Sequence, residues 1–133
     1  VSSNGDVIAV WNQSGTSGGN NWSIIWSSRY TPLVGWGAVE VVEATDTGFA
    51  SNLHLAVAPS GHATAVWEHS YDIWSTRYTP GVGWGSAVPI GDSRGLVTIE
   101  TYVKPQVVVD AGGQAMAVWG LSGDLWSNRS ESP

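Results

Sequence analysis

Three short motifs recur along the chain in a fixed order, and that recurrence limits the possible folds more than any other feature. Ala-Val-Trp stands at Ala9-Val10-Trp11, Ala65-Val66-Trp67 and Ala117-Val118-Trp119. A second motif follows each time, at Ile25-Trp26-Ser27-Ser28-Arg29, Ile73-Trp74-Ser75-Thr76-Arg77 and Leu125-Trp126-Ser127-Asn128-Arg129. A third, Tyr-Thr-Pro followed by Gly-Trp-Gly, occurs at Tyr30-Thr31-Pro32 with Gly35-Trp36-Gly37 and at Tyr78-Thr79-Pro80 with Gly83-Trp84-Gly85. Trp67 and Trp119 are 52 residues apart, as are Trp74 and Trp126, while Trp36 and Trp84 are 48 apart. Trp11 and Trp67 are 56 apart because the first copy carries an insertion, residues 14–21, rich in Gly, Ser and Asn. Self-similarity at such a period marks an array of one supersecondary unit.

Each copy resolves into four strands, here called a to d. Strand a is expected at 53–57 and 106–109, and strand b at 7–11, 63–67 and 115–119. Strand c ends in Trp-Ser-x-Arg, and strand d follows Gly-Trp-Gly at 38–42 and 86–90. Alternation puts Ala63, Ala65 and Trp67 on one face of strand b and Thr64 and Val66 on the other. Both faces are largely apolar, so both must be covered. Four-stranded units stacked face to face do this, which predicts an all-β fold, a β-propeller of four-stranded antiparallel blades. Trp11, Trp67 and Trp119 are then expected in the core between blades, packed over the small alanines.

Aligned on strand b, the chain divides into 1–52, a blade lacking strand a; 53–104, a complete blade; and 105–133, a blade lacking strand d. About ten strands in two and a half blades fall short of the four to eight blades of a closed propeller. The expectation is a segment of a larger propeller, or a unit that closes by oligomerisation.

The unit resembles the tryptophan-rich β-propeller repeats of large secreted and surface proteins of bacteria. Pro105-Gln106-Val107-Val108-Val109-Asp110 and Gly113-Gln114-Ala115-Met116-Ala117-Val118-Trp119 carry the likeness most closely, and it spans essentially the whole chain. The resemblance implies an extracellular or cell-surface, non-catalytic binding or scaffolding module, and no catalytic residue carries over from it.

Charge narrows the functions. The formal net charge is −6, with Arg29, Arg77, Arg94, Lys104 and Arg129 the only strong cations. A nucleic-acid binder needs a basic footprint, and an anionic membrane surface needs the same, so neither is an expected partner. No apolar run approaches the length of a membrane span. The chain has no cysteine, so thiol chemistry says nothing about its compartment.

No constellation of residues requires an enzyme; the alternative is a fragment of a propeller glycosidase whose catalytic residues lie in further blades. Ser70-Tyr71-Asp72 and Ser122-Gly123-Asp124 begin like the Asp box of sialidases, but Trp74 and Trp126 stand where that box has glycine, and such boxes are structural turns. Glu40, Glu43, Glu68 and Glu100 occupy non-equivalent positions and give no reason to select the carboxylate pair a glycosidase needs. His54, His62 and His69 fall in one copy without the spacing of a zinc site, so neither a metal nor another cofactor is expected.

Sugar recognition is the remaining chemistry. Pyranose C–H faces stack on indole, and charged or amide side chains bond the hydroxyls. Trp36 and Trp84, flanked by glycines, together with Arg29, Arg77 and Arg129, are the candidate ligand-binding residues, recurring by blade as in a propeller lectin. The competing role for the same residues is structural, the Trp locking strand d against the next blade. A glycan, a protein surface, or further copies or blades are the expected partners.

Overall fold

The computed structural model describes residues 1–45, 48–92, 103–121 and 124–130. Glu100 and the Ser122-Gly123 start of the second Asp-box likeness lie outside these residues. The described residues are all-β, with twelve strands in three antiparallel sheets.

The N-terminal sheet contains β1 (Val7–Ser17), β2 (Asn20–Thr31), β3 (Gly35–Trp36) and β4 (Glu40–Thr45). The central sheet contains β5 (Ala50–Val57), β6 (Ala63–His69), β7 (Asp72–Thr79), β8 (Gly83–Trp84) and β9 (Val88–Asp92). The C-terminal sheet contains β10 (Val103–Val109), β11 (Ala115–Leu121) and β12 (Asp124–Ser130). Registers repeat between the sheets: Trp11 faces Trp26, Trp67 faces Trp74, and Trp119 faces Trp126.

The strand expected after Gly-Trp-Gly, at 38–42 and 86–90, begins two residues later, at Glu40 and Val88, and a separate two-residue strand lies within the motif. Gly35–Trp36 and Gly83–Trp84 pair with the ends of β2 and β7, and β4 and β9 pair further along the same strands. The motif itself is a tight return that forces this break. Gly37 N–H bonds the Arg29 carbonyl and Gly85 N–H the Arg77 carbonyl, each at 2.8 Å. Ser28 Oγ and Thr76 Oγ1 then donate to the Gly37 and Gly85 carbonyls at 3.1 and 2.7 Å. Gly35 and Gly83 turn the chain at φ 102° and 107°, a region that disfavours side chains.

Strand a begins earlier than alternation suggests, at Ala50 rather than residue 53, because the ladder slips between Ser51 and His54. Asn52 sits there at φ 54°, and the slip breaks the two-residue period on which the expectation rests. The insertion also behaves differently from a loop. It lengthens the β1–β2 hairpin by four residue pairs, Ser14–Ser23 to Ser17–Asn20, around a Gly18-Gly19 turn with both φ positive. The shorter β6–β7 hairpin turns at Ser70-Tyr71 with the same signs. Two positive φ values are what a tight two-residue turn between twisted strands requires.

The sheets pack face to face, and each has two distinct faces. The front face carries Ala-x-Ala-x-Trp; the back face carries the residues between them. Ala65, Trp67 and Ala50 on the front of the central sheet pack against Ile25 and Val42 on the back of the N-terminal sheet. Ala115, Ala117 and Trp119 on the front of the C-terminal sheet pack against Val66 and Ile73 on the back of the central one. The alanines leave room for the indoles. Glycine serves similarly at residue 91, where a Cβ would lie 2.1 Å from Trp119 Cζ2.

Trp67 is 1% exposed and Trp119 3%. Trp11, at the same register but on the outward front of the N-terminal sheet, is 39% exposed.

Candidate functional site

The junction of the N-terminal and central sheets encloses a cleft of about 160 Å³. Strand β2 supplies Ser27, Ser28 and Arg29, the start of β4 supplies Glu40, and the central sheet supplies Tyr78 and Trp84. Alternation explains the convergence. Ser27 and Arg29 share the back face with buried Ile25, and Tyr78 shares the front face of the central sheet with Ala63, its partner across the ladder.

Three bonds fix the walls. Trp84 Nε1–H donates to Ser27 Oγ at 2.8 Å, across the sheet boundary. Arg29 Nη1 donates to the Tyr78 hydroxyl at 3.2 Å, again between sheets. Arg29 Nη2 also bonds the Asp6 carboxylate, which in turn accepts from Asn4 Nδ2 at 3.1 Å. The Arg29 hydrogen bond holds the Asp6 carboxyl below its ordinary range, with Asn4 and the guanidinium charge acting in the same direction. The same bond to Asp6 raises the Arg29 pKa, so the cation is held charged. Tyr78 meets Trp84 edge to face, ring centroids 5.5 Å apart.

Arg29 and Trp84 thus line one cleft. Trp36 lies elsewhere, on the outward front of the N-terminal sheet, 58% exposed and edge-on to Tyr30 at 5.6 Å. Arg77 lies beneath the β10–β11 turn, where a Cβ on Gly113 would come within 3.1 Å of its Nη2. Arg129 is exposed on the back of the C-terminal sheet and donates to Gln114 Oε1 at 3.0 Å. Three equivalent arginines therefore occupy three different surroundings.

Sequence reasoning left Glu40 among scattered carboxylates and did not single out Tyr78, Ser28 or Asp6. Tyr78 carries a signal, since it follows the motif arginine as Tyr30 does. Glu40 carries none, because Val88 stands at its place in the second copy.

The cleft combines a cation, a carboxylate, three hydroxyls and an indole around a small void. Such a set bonds a polyol while an apolar ring covers one side. Glu40 is the only carboxylate lining it among the described residues. His54, His62 and His69 do not converge: His54 Nδ1 accepts from Val107 N–H at 3.2 Å, His62 pairs with Ser60, and His69 lies beside Trp74. No group of three or more His, Cys, Asp or Glu placed to hold a metal occurs among the described residues.

Fold and cleft together define an all-β chain of three stacked antiparallel sheets with a polar, part-aromatic cleft at one sheet junction. No protein-family model matches the chain, and none of the curated proteins matches it.

Proposed function

We propose that the chain is a non-catalytic binding module of the β-propeller type, its sheets successive blades, and that its ligand is the terminal sugar of a glycan. The observation that carries this reading is the inter-sheet cleft in which Arg29, Glu40, Tyr78 and Trp84 meet. Its volume of about 160 Å³ is below the roughly 300 Å³ at which pockets for drug-sized ligands begin. One sugar unit suits that space better than an extended oligosaccharide. The repeated front-to-back stacking supports the blade reading. The resemblance to repeats of secreted bacterial proteins supports an extracellular or cell-surface setting.

A glycan array probed with the 133-residue chain tests the proposal, followed by calorimetry on the best ligand. Glu40→Ala is the informative variant because Glu40 is exposed and outside the hydrophobic clusters. Loss of one charge-assisted bond costs about 1.5–3 kcal/mol, so affinity is expected to fall about 10- to 100-fold. Lys104→Ala, on the C-terminal sheet, is expected to bind like the wild type. An array without a bound glycan refutes the sugar reading, as does full affinity in Glu40→Ala.

A further inference from the structure

The two outer faces of the stack are the two halves of the junction already present inside it. The outward front of the N-terminal sheet bears Trp11, Trp26, Trp36 and Val41, with Val41 directly across the ladder from Trp26. Trp36 is 58% and Val41 51% exposed. The outward back of the C-terminal sheet bears Val108, Met116 and Leu125, all exposed, with Leu125 at 74%.

Trp11, Met116 and Leu125 hold register positions that are buried at the inner junctions, whereas Pro89, at the place of Val41, is exposed there. Leu125 is the counterpart of Ile25 and Ile73, which are 1% and 0% exposed beneath a neighbouring front face. Trp36 is the counterpart of Trp84, whose Nε1 donates to Ser27 of the adjoining sheet. Arg129 is the counterpart of Arg29, which bonds Tyr78 across the same boundary.

The back of the C-terminal sheet also holds an open groove of about 200 Å³ lined by Val108, Met116, Gln114 and Arg129. Met116 and Arg129 correspond to Ile8 and Arg29, which line the inner cleft. In the inner cleft the opposite wall is Tyr78 and Trp84; their counterparts, Tyr30 and Trp36, lie on the other outer face of the stack.

We infer that the outward front of the N-terminal sheet docks onto the outward back of the C-terminal sheet of a second copy, head to tail, continuing the stack. The occupant is a second copy because this chain itself carries both complementary halves in the register of its inner junctions. In the docked arrangement Trp36 meets Ser127 as Trp84 meets Ser27, and Arg129 meets Tyr30 as Arg29 meets Tyr78. The contact is heterologous, so each copy keeps one free front and one free back until a ring closes. The inference rests on the stacking and is independent of the cleft holding a sugar.

Analytical ultracentrifugation of the 133-residue chain at high micromolar concentration and physiological salt provides the test. Trp36→Glu disables the front, since its counterpart Trp84 bonds across the inner junction, and Leu125→Glu disables the back. Both residues are exposed, so each variant is expected to keep the wild-type circular dichroism spectrum and melting curve. The wild type is expected to form assemblies larger than a dimer, and each variant alone to sediment as a monomer. An equimolar mixture retains one intact front and one intact back, and is expected to give a heterodimer and nothing larger. A monomeric wild type overturns the inference. So does a dimer that survives in either variant, which signals a face pairing with itself, or a mixture that stays monomeric. Glycan binding by the monomeric variants is read separately, because the inner cleft is intact in both.

Discussion

Trp67 and Trp11 occupy the same register in neighbouring copies, so truncating each to alanine isolates what sheet stacking contributes. Trp67 is 1% exposed, enclosed by Ile25, Val42, Ala50 and Ala65. A fully buried Trp covers roughly 150–250 Å², worth about 4–6 kcal/mol at ~25 cal/mol per Å². Measured Trp-to-Ala costs in protein cores run about 3–5 kcal/mol, so the area figure is best taken as an upper bound. Trp11 is 39% exposed and opens onto solvent, which fills the space its ring vacates. Its truncation therefore loses a reduced transfer contribution and no cavity cost, about 2 kcal/mol. In urea, with a slope near 2 kcal/mol per M, these correspond to midpoint shifts of about 2 M for Trp67→Ala and about 1 M for Trp11→Ala. Far-UV circular dichroism in dilute solution is the suitable probe, since fluorescence from 9 Trp would mix the signals. Equal shifts in the two variants, or a larger shift for Trp11→Ala, would refute the assignment of Trp67 to a core that Trp11 lacks.

Leu33 is fully exposed at φ 65°, where the second copy has Gly81 at φ 77°. Leu33→Gly relieves a left-handed leucine and is expected to raise stability by about 0.5–1 kcal/mol, read from the urea midpoint. Asp6 has a folded-state pKa below its ordinary 3.8, so its bond to Arg29 stabilises the fold above that value. The benefit is lost as pH falls through the lowered value, so the melting temperature of wild type should exceed that of Asp6→Asn at pH 6, and the difference should shrink as pH falls below the ordinary carboxylate range. Removing residues 14–17 and 20–23 together joins Gln13 to Gly18-Gly19 and Ile24, preserving the register and the turn. The shortened chain is expected to keep its circular dichroism spectrum and cooperative melting; loss of either would show that the hairpin extension is needed for folding.

The strands that alternate cleanly were legible from sequence. Val7, Ala63 and Ala115 start β1, β6 and β11 in the register read from the motifs. Two features escaped for local reasons. Residues 14–21 look like a loop by composition, yet paired strands tolerate Ser, Thr and Asn where both sides face solvent. Asn52 breaks the period at a bulge, and no composition rule signals a bulge at an asparagine. The site escaped for a different reason. Comparing copies selects what recurs, and it drew attention to Trp36, Arg77 and Arg129, which the sheets hold apart. Glu40 has no counterpart, and its place near Arg29 and Trp84 follows from how one sheet lies on another, which no single strand encodes.

Among the described residues the central sheet alone is covered on both faces by its neighbours, with Trp67 at 1% exposure on its front and Val66 and Ile73 at 0% on its back. Strand β12 is exposed along its whole length. In the unassociated chain opening must therefore begin at the outside of the stack, because β6 can reach water only after a neighbouring sheet has moved away. Amide protons of β12 should exchange through local fraying, while those of β6 wait for nearly complete unfolding. Proteases would meet the molecule in the same sequence, trimming it from its flanks and reaching its middle last.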